Sequence, residues 1–164
     1  MMRPITLNQA VNSVVHQRTL LSMTKALLIA ISGIDGSGKG YITSKMARLL
    51  AQQNLNIATI NIDGWLNLPD QRFSPSQPAK QFYHHAIRFD ELFAQLVLPL
   101  RDRRSIHLEA DYAEETAFEY CKHIYQFEDI DVILLEGIYL LKRQFQAIYN
   151  LSFWIECSFE TALS

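Results

Sequence analysis

The sequence predicts an α/β fold of three layers, with a mainly parallel sheet between helices. Three observations predict it. Four short apolar runs, 26–32 (ALLIAIS), 56–61 (NIATIN), 131–136 (DVILLE) and 151–157 (LSFWIEC), have the length and composition of buried strands. Segments with helical spacing of apolar residues lie between them. A glycine-rich turn joins the first run to the helix that follows. Strands that alternate with helices pair in parallel, because the helix carries the chain back to the edge where it began.

The elements follow in order. Leu7, Val11, Val14, Val15 and Leu21 keep helical spacing over 6–21, with Thr6 or Asn8 as N-cap. Residues 1–24 are thus an N-terminal helical extension of a single domain over 1–164. The run 26–32 stops at Gly33 and is too short for a buried helix, so it is a central strand. Ile42, Met46, Leu49 and Leu50 mark one face of a helix over about 39–53. Residues 64–80 hold Pro69, Pro75 and Pro78 among polar residues and read as an irregular segment. Helical spacing returns at Phe89, Leu92, Phe93, Leu96, Val97 and Leu100, and Pro99 is expected to end or kink that helix. Within the ambiguous stretch 105–127, Phe118–Phe127 reads as an edge strand. A short helix is expected over 144–149, and Ser158–Ser164 reads as the opening of another.

Composition narrows the function. Apolar residues make up 49% and charged residues 20%, as in a soluble globular domain. The formal net charge of -2 excludes a broad grip on nucleic acid, which needs a basic surplus. No apolar run reaches the roughly 20 residues of a membrane span. Cys121 and Cys157 lack metal-type spacing and read as buried fillers in a reducing cytoplasm. The oligomeric state is open, a homo-oligomer included.

The chemistry centres on Gly33-Ile34-Asp35-Gly36-Ser37-Gly38-Lys39-Gly40, entered from a strand and leading into a helix. Glycines let successive backbone N–H groups turn inward around phosphate oxygens, and the helix N-terminus adds partial positive charge. Lys39 can bridge the outer phosphates of a nucleoside triphosphate. The nucleotide-binding set is Gly33, Asp35, Gly36, Ser37, Gly38, Lys39, Gly40 and Tyr41. The P-loop pattern asks for Ser or Thr after the lysine, where a hydroxyl ligates Mg²⁺, and this chain has Gly40. Thr43 lies a turn further on and is not expected to replace it.

Phosphoryl transfer also needs carboxylates for the metal and for the attacking hydroxyl. Glu136 ends one apolar run and Asp63 follows another, which places both at the loop's sheet edge. Glu136 is the metal-side acid. Asp63 is the catalytic base, also within reach of metal and substrate. Asp35 either approaches the metal or shapes the turn. Trp65 and Tyr83 are candidates to stack on a base or sugar, with packing as the competing role. Arg88 is a candidate for substrate or phosphate, or else a solvated cation. His84 and His85 read as surface residues, and the run Arg101–Arg104 as a solvated loop.

With strand–GIDGSGKG–helix, then IDGW at 62–65, RFDELFAQLVLPL at 88–100 and DVILLEG at 131–137, the chain resembles the uridine kinase family of P-loop kinases. That group in turn resembles phosphoribulokinase and bacterial pantothenate kinases. The resemblance covers about 26–160. It implies a P-loop fold of the nucleoside/nucleotide-kinase type, with strand 131–136 beside the loop strand. It implies ATP held by Lys39 and the loop amides, Mg²⁺ at Glu136, Asp63 as base, and Tyr112 against a nucleoside-like acceptor. The family follows its Tyr-Asp pair with a His and an Arg that grip base and sugar. Here Ala113, Glu114 and Glu115 follow Tyr112. The family's Arg-bearing lid lies beyond the fourth strand and is missing from this chain. A nucleotide-binding module without turnover is the alternative function. A switch or motor NTPase would need an Asn/Thr-Lys-x-Asp tract, which the sequence lacks.

Overall fold

The computed structural model describes residues 3–156. Cys157 and the expected helix start at Ser158–Ser164 lie outside them. Helix α1 (Leu7–Leu20) begins at Thr6 through a capping box. Thr6 Oγ1 accepts the Gln9 N–H at 3.1 Å and Gln9 Oε1 accepts the Thr6 N–H at 2.9 Å, satisfying two amides that the first turn leaves free. Strand β1 (Leu27–Gly33) is buried along its whole length. Helix α2 (Lys39–Ala51) and strand β2 (Ile57–Asn61) follow.

The proline-rich stretch departs from expectation. It contains two short helices, α3 (Pro69–Arg72) and α4 (Pro78–His85), each with its proline in the first turn. There a missing N–H costs nothing, so these prolines start helices. Pro99 also fails to end its helix. Helix α5 (Phe89–Leu92), a π-helical stretch (Phe93–Val97) and α6 (Leu98–Arg103) run on as one rod. The Leu98 N–H reaches back to Phe93, and Pro99 follows this change of register in the first turn of α6. The rod stops at Arg104, whose φ is 65°. Arg104 is a brace where a solvated cation was expected: it donates to the Met23 and Ile130 carbonyls and pairs with Asp131 at 2.7 Å.

Strand β3 (Ile106–Tyr112) pairs antiparallel with β4 (Cys121–Phe127), where only an edge strand over 118–127 was expected. Cys121 is exposed, contrary to its reading as a buried filler. Strand β5 (Val132–Glu136), a 3-10 helix (Arg143–Ile148) and β6 (Leu151–Ile155) complete the described chain.

The main sheet runs β2-β5-β1-β6, all parallel, with β5 beside β1 as expected. Side chains alternate across it, which makes the three layers. Leu27, Ile29, Ile31, Val132 and Leu134 pack with Val11, Val14, Met46 and Leu50 of α1 and α2. Leu28, Ala30, Ile133 and Leu135 pack with Leu92, Leu96 and Leu100 of the rod and with Trp65. Each buried Val, Leu, Ile or Met side chain among them contributes about 1.5–3 kcal/mol on leaving water. No helix among the described residues is long and apolar enough to cross a membrane.

Candidate active site

Parallel strands bring β1, β2 and β5 to one edge at their C-terminal ends, which is where open α/β sheets bind ligands. The loop 33–40 lies there. Gly36 and Gly38 take φ of 74° and 90°, a region that side-chain-bearing residues rarely enter. These reversals turn the chain into the start of α2, whose first helical hydrogen bond runs from the Ile42 N–H to the Gly38 carbonyl. The amides of Lys39, Gly40 and Tyr41 precede that bond and lack acceptors within the helix. The Tyr41 ring itself is exposed beside Lys45, so only its backbone belongs to the loop. Ser37 Oγ is buried without a hydrogen-bond partner among the described residues. The Lys39 side chain is buried, and its ammonium donates to the Ile34 carbonyl at 2.6 Å, spanning the loop. Free amides, an orphaned hydroxyl and a lysine fit a triphosphate tail.

The acids sit as the sequence predicts. Glu136 is paired in register with Ile31 of β1 and Asn61 of β2. Ser32 Oγ donates to the Gly137 carbonyl at 2.8 Å, locking the tip of β5 to the entrance of the loop. Beyond Asn61 the chain tightens into a 3-10 turn (Ile62–Gly64), and the Asn61 side chain accepts the Asp63 N–H at 2.8 Å. Burial raises the Glu136 carboxyl above its ordinary range; the charge of Asp63 adds to this and Lys39 opposes it. Desolvation also raises Asp63, with Asp35 and Glu115 adding and Lys39 opposing. Asp35, Asp63, Glu136 and Lys39 therefore share one electrostatic neighbourhood.

A Cβ built on Gly40 would lie 4.0 Å from Glu136 Oε1. A side chain at residue 40 would thus start in contact with the Glu136 carboxylate. Thr43 cannot supply the missing hydroxyl, since its own donates to the Lys39 carbonyl at 2.7 Å inside the helix. Among the described residues no group of three or more His, Cys, Asp or Glu is placed to hold a metal ion. The donors present fit Mg²⁺, which takes one or two carboxylates and completes its shell with phosphate oxygens and water.

The acceptor side changes the expected list. Trp65 is fully buried, its indole N–H donates to the Tyr125 hydroxyl at 3.0 Å, and its ring cannot stack on a ligand. Arg88 is not a solvated cation. It is buried, donates to the Leu66 and Asp111 carbonyls, and pairs with Glu91 at 2.8 Å. It braces the hairpin against the rod. Tyr112 packs its ring over Gly64, next to Asp63, and stacks on His123 at 4.9 Å. Tyr83 is exposed at the end of α4 and meets the Tyr139 ring edge-on at 5.0 Å. His84 and His85 are exposed as expected. The sequence reading missed Tyr139 and Lys142. The charge of Asp35 reaches Tyr139, and the Lys142 ammonium sits 4.2 Å from the centre of the Tyr83 ring. The available signal was a lone lysine ending the apolar run Ile138–Leu141.

Sheet order, phosphate loop and strand-tip acids define an α/β domain of the P-loop kinase fold. No family model matches the chain. Over 123 residues it is 34% identical to the uridine kinase of Macrococcus caseolyticus, covering 74% of this chain and 57% of that protein. A possible uridine kinase from Bacillus stearothermophilus superposes with a TM-score of 0.76 at 16% identity, over 97% of this chain and 86% of that one. A proposed fructose transport system kinase from Silicibacter sp. TM1040 gives 0.73 at 20% identity, over 97% and 78%. The chain is thus similar in sequence to a uridine kinase and in fold to P-loop kinases, in keeping with the motifs. It spans a little over half the length of that curated relative.

Proposed function

We propose that this chain forms the catalytic part of an ATP-dependent kinase that moves the γ-phosphate to a hydroxyl of a small metabolite. One observation carries this reading: the loop 33–40, spanned by the buried Lys39, opens at the sheet edge where Glu136 ends β5, its Oε1 4.0 Å from a Cβ built on Gly40, and where Asp63 follows β2. The loop amides and Ser37 bind the phosphates. Lys39 neutralises charge on the outer phosphates. Asp63, held by the Asn61 cap, takes the proton of the attacking hydroxyl. Glu136 and Asp63 would hold Mg²⁺, which when bound supplies charge neutralisation on the phosphates. Uridine kinase homology makes a nucleoside-like alcohol the first acceptor class to try. The work belongs in the cytoplasm, where both cysteines stay reduced.

The test is ADP release from ATP with a panel of nucleosides, sugars and hydroxy acids. Mg²⁺-dependent release with one class of acceptor is expected. No release with any of them would defeat the reading. Gly40 favours a second reading, a nucleotide-binding module without turnover. That module would bind ATP equally well with and without Mg²⁺ in calorimetry.

A further inference from the structure

A cavity of about 290 Å³ lies between the end of α4, the start of the rod and the 3-10 helix Arg143–Ile148. Its wall includes Asn67, His84, His85, Lys142 and Gln144. That volume is at the small end of ligand sites and suits a small metabolite. Lys142 is the unusual group in it. Its side chain is nine-tenths buried, yet among the described residues it has no carboxylate partner. One of its protons goes to the Tyr83 carbonyl at 2.7 Å, and no other acceptor among the described residues takes the rest. Its ammonium lies over the rings of Tyr83, Phe89 and Tyr139, at 4.2, 5.0 and 5.7 Å.

The other charges of the cavity are accounted for. Arg88 is paired with Glu91. Asp90 is exposed at the start of the rod and makes no ion pair with Lys142. A buried cation without a counter-charge is costly, and a bound anion would remove that cost. Tyr139 ties the cavity to the phosphate loop. It lies two residues beyond Gly137, whose carbonyl accepts from Ser32 at the loop entrance and whose N–H donates to the Ile31 carbonyl, and it packs on Tyr83 and neighbours Lys142, with its own φ at 60°. A non-glycine residue in that region persists only where its surroundings hold it.

We propose that the phosphate acceptor carries an acid group, carboxylate or phosphate, and that Lys142 in this cavity binds it. The inference rests on the kinase reading above and narrows its acceptor from an uncharged nucleoside to an anionic alcohol. Desolvation holds the Lys142 ammonium below its ordinary range, so an anion at this site would also restore its proton affinity.

The test is direct binding to the chain, measured by calorimetry with D-glycerate, glucose 6-phosphate and uridine, and separately with ATP. At least one of the two anions binds and uridine binds more weakly. Lys142→Gln weakens that anion by about tenfold or more, while Lys142→Arg retains it. ATP affinity is the same in all three proteins. Raising the salt concentration weakens the anion in the wild type and has little effect in Lys142→Gln. A lysine that serves only packing would change the melting temperature and leave that salt dependence in place. Uridine binding in preference to both anions, or anion binding untouched by Lys142→Gln, overturns the proposal. A chain that fails to bind ATP defeats the kinase reading instead, and the ATP titration separates the two failures.

Discussion

The phosphate loop comes from one stretch of chain, Gly33–Tyr41, while the proposed acceptor side gathers Asp63, Tyr83, Tyr112, Tyr139 and Lys142 from four separate stretches. The loop works mainly through backbone: free amides at 39–41 and the reversals at Gly36 and Gly38. The acceptor side works through side chains that meet only after folding, such as Tyr139 on Tyr83. Nucleotide capture can therefore survive changes that rewrite the acceptor, because the two halves share only the strand-tip acids. Substitutions that separate binding from transfer bear on that division.

The largest effect is expected at Asp63, which joins the halves. Asp63→Asn should lower turnover by about 10²–10⁴-fold with ATP affinity little changed, read by ADP release and calorimetry. With Asp63 raised by desolvation and by Asp35, the wild-type rate should fall as pH drops through a point above the ordinary carboxylate range. Loss of ATP binding in this variant would mean that the halves are not separable.

Gly137 comes next. A Cβ there would lie 2.1 Å from Ile62 Cγ1, in the buried junction of β5 with the 3-10 turn. Gly137→Ala should destabilise the fold by about 1–3 kcal/mol in denaturant melts. Gly64→Ala meets the same distance at the Tyr112 ring, which is only partly buried and can swing aside, so its cost should be smaller.

Glu136 gives a pH-dependent effect. Its raised native pKa means that the folded state keeps the proton to higher pH than the unfolded state. Stability then falls as pH rises from the ordinary glutamate value through the raised one. Glu136→Gln should melt above the wild type at neutral pH, and the gap should close on acidification, while Mg²⁺-dependent turnover is lost. The smallest effect is at Gly40. The space beside Glu136 accepts a serine side chain, so Gly40→Ser should tighten the Mg²⁺ dependence of ATP binding several-fold, by about 1 kcal/mol. Unchanged Mg²⁺ affinity would place the metal away from residue 40.

Much of this was legible in the sequence because it was local. β1 and β5 are buried on both faces and so read as unbroken apolar runs. The glycines, Lys39, Asp63 and Glu136 occupy motif positions tied to those strands. Prolines misled because their effect depends on position: Pro69 and Pro78 sit in first turns, where they are harmless, and Pro99 follows the π-helical change of register within the rod. Strand β3 does alternate, with Ile106, Leu108 and Ala110 inward, yet it took its partner β4 to make the pattern decisive. Arg88 and Lys142 were illegible for a different reason. A buried arginine bracing two carbonyls and a buried lysine beside a cavity have the same one-dimensional signature, a single cation near apolar residues.

The central claim is that backbone amides and one lysine between β1 and α2 capture the triphosphate. Calorimetric titration of ATP into the wild type and into Lys39→Ala tests it most directly. A saturable wild-type isotherm, weakened in the variant by about 10²-fold or more with an unchanged melting temperature, is the predicted result. Equal ATP affinity in the two proteins would contradict the account.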